Sequence, residues 1–261
     1  MSDLHQRLDF ALDCLAQFSP PLLALFNSRD FKSIERSDGS VVTKADIAAE
    51  EKMRALILKR YPNDSIVGEE LGNLVGSTSD VWYLDPIDGT QSFVCGVPLF
   101  STMIGMQREG EVVLGALHFP ALCETLHAYK GGGAFWKSRY HSEFVSAKVS
   151  NTSSVEQAIF CTSGADYFKK ANLSHKFQRL VDACSRERTW GDSYGHLLVA
   201  TGRVDIMVDP LMYDWDCVPL KIIIEEAGGC FGDLQGNRTA KGKSALSANP
   251  VLFEQVVSLL K

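Results

Sequence analysis

Leu4, Leu8, Ala11, Leu12, Leu15 and Phe18 recur every three or four positions, so one side of residues 3–18 is apolar. That period predicts an amphipathic helix. Pro20-Pro21 follow, and two prolines remove two amide donors, which predicts a kink or break there. Residues 29–40 are polar and turn-rich and read as a loop. Ala45, Ala48, Ala49, Met53, Leu56 and Ile57 restore the helical period from about Thr43, and Pro62 closes it. Short apolar runs then take over. Residues 81–84 have the look of a buried strand, and 101–106 and 112–118 flank Arg108-Glu109-Gly110 as a hairpin would. Residues 125–129 form another strand, ended by Gly131-Gly132-Gly133. A Walker loop needs Lys-Ser/Thr after its glycines, and none follows, so the triplet reads as a hairpin turn.

In the second half, strands at 158–162 and 204–208 alternate with helices at 174–184, 194–201 and 216–227. Gly228-Gly229 stop the last of these, and Pro250 opens a final helix. The alternation predicts an α/β (α+β) layered sandwich. It divides into halves at 1–145 and 146–261, with a seam near 140–152. There is no internal repeat.

Composition narrows the function. With 261 residues, 45% apolar and 22% charged, the chain can bury a substantial core. A net charge of −6 argues against a nucleic-acid binder. The seven cysteines are odd in number, contain no CxxC pair and form no zinc-like cluster, as in a protein with reduced thiols. The N-terminus MSDLHQRLDF lacks the apolar core of a signal peptide, and no apolar run nears the roughly 20 residues that span a bilayer. The expectation is a cytoplasmic protein with no membrane partner. Three Asn-x-Ser/Thr matches, at Asn63, Asn151 and Asn172, carry little weight without a secretion signal.

The acids are placed oddly. Gly68-Glu69-Glu70 follows apolar Ile66-Val67. Asp85 and Asp88 follow the strand at 81–84, with Pro86 stiffening their spacing. Asp214 and Asp216 bracket Trp215 ahead of an apolar helix. Taken singly, Asp88 and Asp216 could be helix caps and Glu69 a solvated loop residue. Taken together, they sit at strand ends and helix starts, where side chains converge on one cleft. Clustered carboxylates need a multivalent cation, and all-oxygen ligation suits magnesium, manganese or calcium rather than zinc. Gly89-Thr90 adds a helix start whose N–H groups suit an anion. Metal ions beside such a turn make a place for a phosphate.

These motifs, Gly68-Glu69-Glu70, Asp85-Pro86-Ile87-Asp88-Gly89-Thr90, and Trp215-Asp216 ahead of a helix ending Glu225-Glu226-Ala227-Gly228-Gly229, occur together and in order. In this the chain resembles the inositol monophosphatase superfamily of magnesium-dependent, lithium-sensitive phosphatases. The resemblance implies an αβαβα sandwich, usually dimeric, with the site between two halves. It implies Glu69, Asp85, Asp88, Asp216 and the Ile87 carbonyl as ligands of two or three magnesium ions, with manganese as a substitute. Gly89 and Thr90 would bind phosphate through their N–H groups. Asp46 would pair with the Thr90 hydroxyl and, with Glu69, orient and deprotonate the attacking water. Outside the resemblance, Asp46 reads only as a first-turn helix acid. The loop at 29–40 would be the mobile segment beside the metals.

Substrate choice falls to residues 188–216. Inositol phosphatases carry small residues after the glycine here and a glutamate seven before the final aspartate. This chain has Gly191-Asp192-Ser193-Tyr194, and Asp209 at the glutamate's place. Trp190-Gly191-Asp192-x-Tyr194, Val208-Asp209-Pro210 and Gly96-Val97-Pro98-Leu99 resemble the histidinol-phosphate phosphatase branch. Asp192 and Asp209 would offer charged acceptors to an ammonium and an imidazole, where a neutral polyol needs none. Asp192 also reads as a helix cap. Trp190 reads as core or platform, and His118, His127 and His196 as packing residues. An inositol-1-phosphate or broad sugar-phosphate phosphatase is the alternative substrate reading. A non-catalytic metal-binding regulator is a third, disfavoured because every expected ligand is present.

Overall fold

The computed structural model describes residues 3–30, 33–35 and 41–261, with backbone alone at 33–35 and 41–43. Helix α1 (Asp3–Ser28) is followed by strands β1 (Ser33–Glu35) and β2 (Val41–Thr43), which pair antiparallel, and by α2 (Lys44–Arg60). Next come β3 (Ser65–Gly68), β4 (Gly72–Leu74), β5 (Asp80–Asp88) and the short α3 (Thr90–Cys95). The hairpins β6 (Ser101–Arg108), β7 (Glu111–Phe119), β8 (Glu124–Tyr129) and β9 (Gly133–Lys137) lead to β10 (Val145–Ser146). These complete an eight-stranded sheet ordered β10-β9-β8-β7-β6-β5-β3-β4, antiparallel except between β3 and β5.

The chain then builds β11 (Ile159–Cys161), α4 (Ala165–Lys170), α5 (Ser174–Ala183), β12 (Arg186–Arg188), α6 (Asp192–Ala200) and β13 (Ile206–Asp209). It ends with α7 (Asp214–Glu226), β14 (Cys230–Gly232), β15 (Ala245–Ala248) and α8 (Pro250–Leu259). The second sheet has five strands, ordered β12-β11-β13-β15-β14.

Alternation along the strands creates the layers. Trp82, Leu84, Ile104, Met106, Leu114 and Ala116 face Leu8, Ala11, Leu15 and Phe18 of α1 and Met53 and Ile57 of α2. Tyr83, Met103 and Leu117 face the other way, towards Val218 and Ile222 of α7 and Leu197 of α6. The far side of the second sheet packs Phe160, Ile206 and Leu246 against Leu180 of α5 and Phe253 and Val256 of α8. The stack is helix, sheet, helix, sheet, helix, the αβαβα sandwich anticipated from the sequence.

Three expectations change. Pro20-Pro21 do not end α1, which continues to Ser28. Leu22, Leu25 and Phe26, beyond the prolines, pack with Ile87, Phe93 and Phe100, and this burial outweighs the lost amide bonds. The continuous helix is long and apolar enough to cross a membrane, but its apolar face is buried against the first sheet, as in a core helix. The loop expected at 29–40 contains β1, while residues 31–32 and 36–40, and with them the expected mobile segment, lie outside the described residues. The strand expected at 81–84 runs on through Asp88.

Other readings hold. Gly131 and Gly133 turn between β8 and β9, both donating to the Glu226 carboxylate at 2.7 Å. All seven cysteines are free. His118 sits between Ser19 and Thr125, His127 packs on Phe135 and Phe144, and His196 meets Ser247.

Helix α7 lies directly on the first sheet because two cross-strand partners, Gly105 and Gly115, have no side chains. A Cβ on Gly115 would stand 2.3 Å from the Pro219 carbonyl oxygen, and one on Gly105 2.8 Å from Pro219 N. Since α7 carries Asp216 in its first turn, this approach sets the depth of that acid. Gly115→Ala is expected to lift the helix and lower stability by about 1–3 kcal/mol in chemical denaturation. An unchanged midpoint would show that the contact can yield freely.

Candidate active site

Strand β5 carries the first acids. Its pairing with β6 shifts register between Asp85 and Asp88, at Pro86, which has no amide to give the ladder. Thr102 Oγ1 donates to the Pro86 carbonyl at 2.8 Å and holds the irregular segment to β6. The bulge leaves Asp85 and Asp88 directed at the start of α7. There Asp216 Oδ2 accepts the Tyr213 N–H at 2.9 Å. Carboxylate oxygens of Asp85, Asp88 and Asp216 lie within 4.8 Å of one another. Asp214 is not in this group.

Such a cluster resists ionisation. Burial, then the charges of Glu69, Asp88, Asp216 and Asp46, all push Asp85 well above the ordinary carboxylate range. Asp216 is raised by burial and by the charges of Asp88 and Glu69, against the opposing Tyr213 N–H. Asp88 is raised by burial, with its Ser193 hydrogen bonds acting in the other direction. Asp85 Oδ1 is buried with no hydrogen-bond partner. A buried carboxylate oxygen left unpaired among like charges is costly, and an oxygen-seeking divalent cation is what the donor set fits. Glu69, just after β3, is not in this group either; its charge acts on Asp85 and Asp216, and its N–H is tied to the Leu84 carbonyl at 3.2 Å.

The Gly89-Thr90 turn follows at once. Gly89 takes a left-handed conformation, φ 77°, ahead of α3. A Cβ there would come within 2.8 Å of the Leu99 carbonyl oxygen and 3.2 Å of Asp192 Oδ2. The Thr90 hydroxyl donates to the Ile87 carbonyl at 2.8 Å and lies 3.5 Å from Asp46 Oδ1. Its main bond is therefore to Ile87, with Asp46, buried in the first turn of α2, at the edge of reach.

The second sheet supplies the remaining wall. Asp192 opens α6 with φ 55°, unusual for a residue with a side chain. Its N–H donates to Ser163 Oγ at 2.8 Å. Burial and the charges of Asp88 and Asp209 push its carboxyl well up. Asp209 ends β13, buried; Oδ1 accepts the Ser163 N–H at 2.9 Å and faces Thr162 Oγ1 at 3.4 Å. Its Oδ2 is 3.5 Å from Nε2 of buried His196. Asp192 thus stands beside the Gly89 turn, while Asp209 is buried, with Oδ1 held by Ser163 and Oδ2 facing His196.

Sequence reasoning missed three contributors. Ser193 N–H donates to Asp88 Oδ2 at 2.8 Å, and Ser193 Oγ meets Ser101 Oγ at 2.8 Å. Ser163 joins Asp209 to Asp192. Glu50, one turn beyond Asp46, is fully buried beneath the Glu69 segment. Only Glu50 left a signal, a second acid four positions on along the same helix face.

With this geometry in hand, comparison with known proteins is informative. A profile of the inositol monophosphatase family matches residues 3–261. The chain is 35% identical over 254 residues to a histidinol-phosphatase from Chlorobaculum parvum, covering 97% of this chain and 96% of the relative. It is 32% identical over 259 residues to a fructose-1,6-bisphosphatase/inositol-1-monophosphatase from Thermotoga maritima, covering 97% and 95%. A solved IMPase structure from Thermotoga maritima superposes with a TM-score of 0.85 at 31% identity, covering 98% of this chain and 96% of that one. By sequence, fold and the disposition of its acids, the chain belongs to the inositol monophosphatase family.

Proposed function

We propose that the chain is a magnesium-dependent phosphomonoesterase that hydrolyses L-histidinol phosphate to L-histidinol and phosphate. The observation that carries the metal dependence is the trio Asp85, Asp88 and Asp216, gathered within 4.8 Å with one buried oxygen unpaired. Glu69, these three acids and the Ile87 carbonyl would hold two or three magnesium ions. Bound there, magnesium supplies Lewis acidity towards the phosphoryl oxygens and acidifies a coordinated water. Gly89 and Thr90 present N–H groups to the phosphate at the start of α3. Glu69 and the Thr90 hydroxyl orient the attacking water. Thr90 then turns from the Ile87 carbonyl to Asp46 and passes the proton on.

Asp192 supports the substrate assignment. Its carboxylate lies beside Gly89, where it can receive the cationic end of an ester whose phosphate sits on the turn. Asp209 serves the same recognition indirectly, by fixing Ser163 and through it the Asp192 backbone. The similarity to the Chlorobaculum parvum histidinol-phosphatase favours the same substrate. The Thermotoga maritima relative keeps inositol-1-phosphate and sugar phosphates as the second reading. A cytoplasmic, lithium-sensitive homodimer with halves at 1–145 and 146–261 completes the proposal.

Two measurements test it. Phosphate release is compared for histidinol phosphate and inositol-1-phosphate with magnesium. Wild type should prefer the former, Asp88→Asn should lose turnover, and Asp192→Ala should raise KM for histidinol phosphate about tenfold or more. No turnover of either ester would refute the phosphatase reading, and preference for inositol-1-phosphate would refute the substrate. Separately, removing one of the mutually repelling charges should raise the metal-free Tm. Asp85→Asn should therefore melt higher than wild type without metal yet gain little from magnesium, which stabilises the wild type by binding the folded state. Equal magnesium-induced shifts in both proteins would contradict the ligand role of Asp85.

A further inference from the structure

Glu50 lies wholly buried on α2, and its carboxylate is fully engaged. Oε2 accepts the Glu70 N–H at 2.7 Å, and Oε1 accepts the Leu71 N–H at 3.1 Å. Arg54, one turn further on, places Nε 2.8 Å and Nη2 2.7 Å from Oε1. The same Nη2 donates to the Gly72 carbonyl. Every backbone group in this set belongs to residues 70–72, the segment directly after Glu69. The Glu69 N–H is itself bound to the Leu84 carbonyl, next to Asp85.

The consequence is geometric. A peptide unit is planar, so only two torsions at its Cα set the direction of a side chain. The plane before the Glu69 Cα is tied to β5. The plane after it is tied to Glu50. Fixing both leaves the Glu69 Cα–Cβ bond one direction. Helix α2 thereby serves the site twice, through Asp46 towards Thr90 and, one turn on, through Glu50 towards the Glu69 segment.

We infer that Glu50, with Arg54 as its counter-ion, is a positioning residue that holds Glu69 in place to join Asp85, Asp88 and Asp216 around a divalent cation. This deepens the metal-dependent reading above and rests on it. Loss of a buried ion pair that only stabilised the fold would lower Tm and leave cation affinity alone, which separates the two roles.

The test uses the full chain as wild type, Glu50→Ala, Glu50→Gln and Asp64→Asn. Asp64 is a control of similar burial away from the site, bonded to Arg7, Thr78 and Trp82. Manganese affinity is measured by calorimetry, Tm by thermal denaturation, and the magnesium concentration for half-maximal phosphate release by assay. Glu50→Ala should weaken manganese binding and raise the magnesium requirement by about tenfold or more. Glu50→Gln, which keeps one acceptor for the loop, should fall between it and wild type, and it decides the matter if Glu50→Ala does not fold. Asp64→Asn should lower Tm with both metal constants unchanged. Glu50 variants that lose Tm but keep wild-type metal constants would overturn the inference. A wild type that binds manganese but hydrolyses no ester would refute the phosphatase reading alone, and calorimetry would still decide on Glu50. A wild type that binds no manganese would overturn both.

Discussion

Asp85, Asp88 and Asp216 repel one another, and the fold holds them together against that repulsion. Each is fixed by something that has no freedom to retreat. Asp85 and Asp88 ride on a bulge stiffened by Pro86 and bound to Thr102. Asp216 is carried by a helix whose backbone touches the sheet at two glycines, and its carboxylate is bound to the Tyr213 N–H. The energy needed to keep like charges close is spread over the cores on both faces of the large sheet. A multivalent cation bound among them would relieve it.

The second sheet walls this geometry on one side. Its strands do not reach the acids, but their ends do so through a relay of hydrogen bonds. Asp209 fixes Ser163, and Ser163 fixes Asp192 in a left-handed turn. The next residue, Ser193, donates to Asp88. One short loop thus touches an acid of the cluster and presents a further acid beside the Gly89 turn.

Much of this was legible in the chain. The acid motifs are local, so residue type and spacing marked the acids at 69–70, 85, 88, 214 and 216, and the family resemblance chose Glu69, Asp85, Asp88 and Asp216 among them. Apolar periods and glycine stops indicated a layered α/β sandwich, and the resemblance supplied its αβαβα order. What was hidden depended on partners distant in sequence. The persistence of α1 through Pro20-Pro21 is decided by Phe93 and Phe100, more than 60 residues away. Ser193 looked like any helix-start serine because its partner, Asp88, is 105 residues earlier. Asp192 and Asp209 read alike as charges, and only burial separates the one beside the Gly89 turn from the one held by Ser163. Glu50 was half visible, since its place one turn past Asp46 was readable and its hold on residues 70–72 was not.

Diffraction from crystals grown with manganese would show whether the repelling acids form a cation site. Anomalous scattering recorded at the manganese edge should give its strongest peak between the carboxylates of Asp85, Asp88 and Asp216, with Glu69 turned towards it. Strong manganese peaks elsewhere on the molecule, with none between these three acids, would contradict the account.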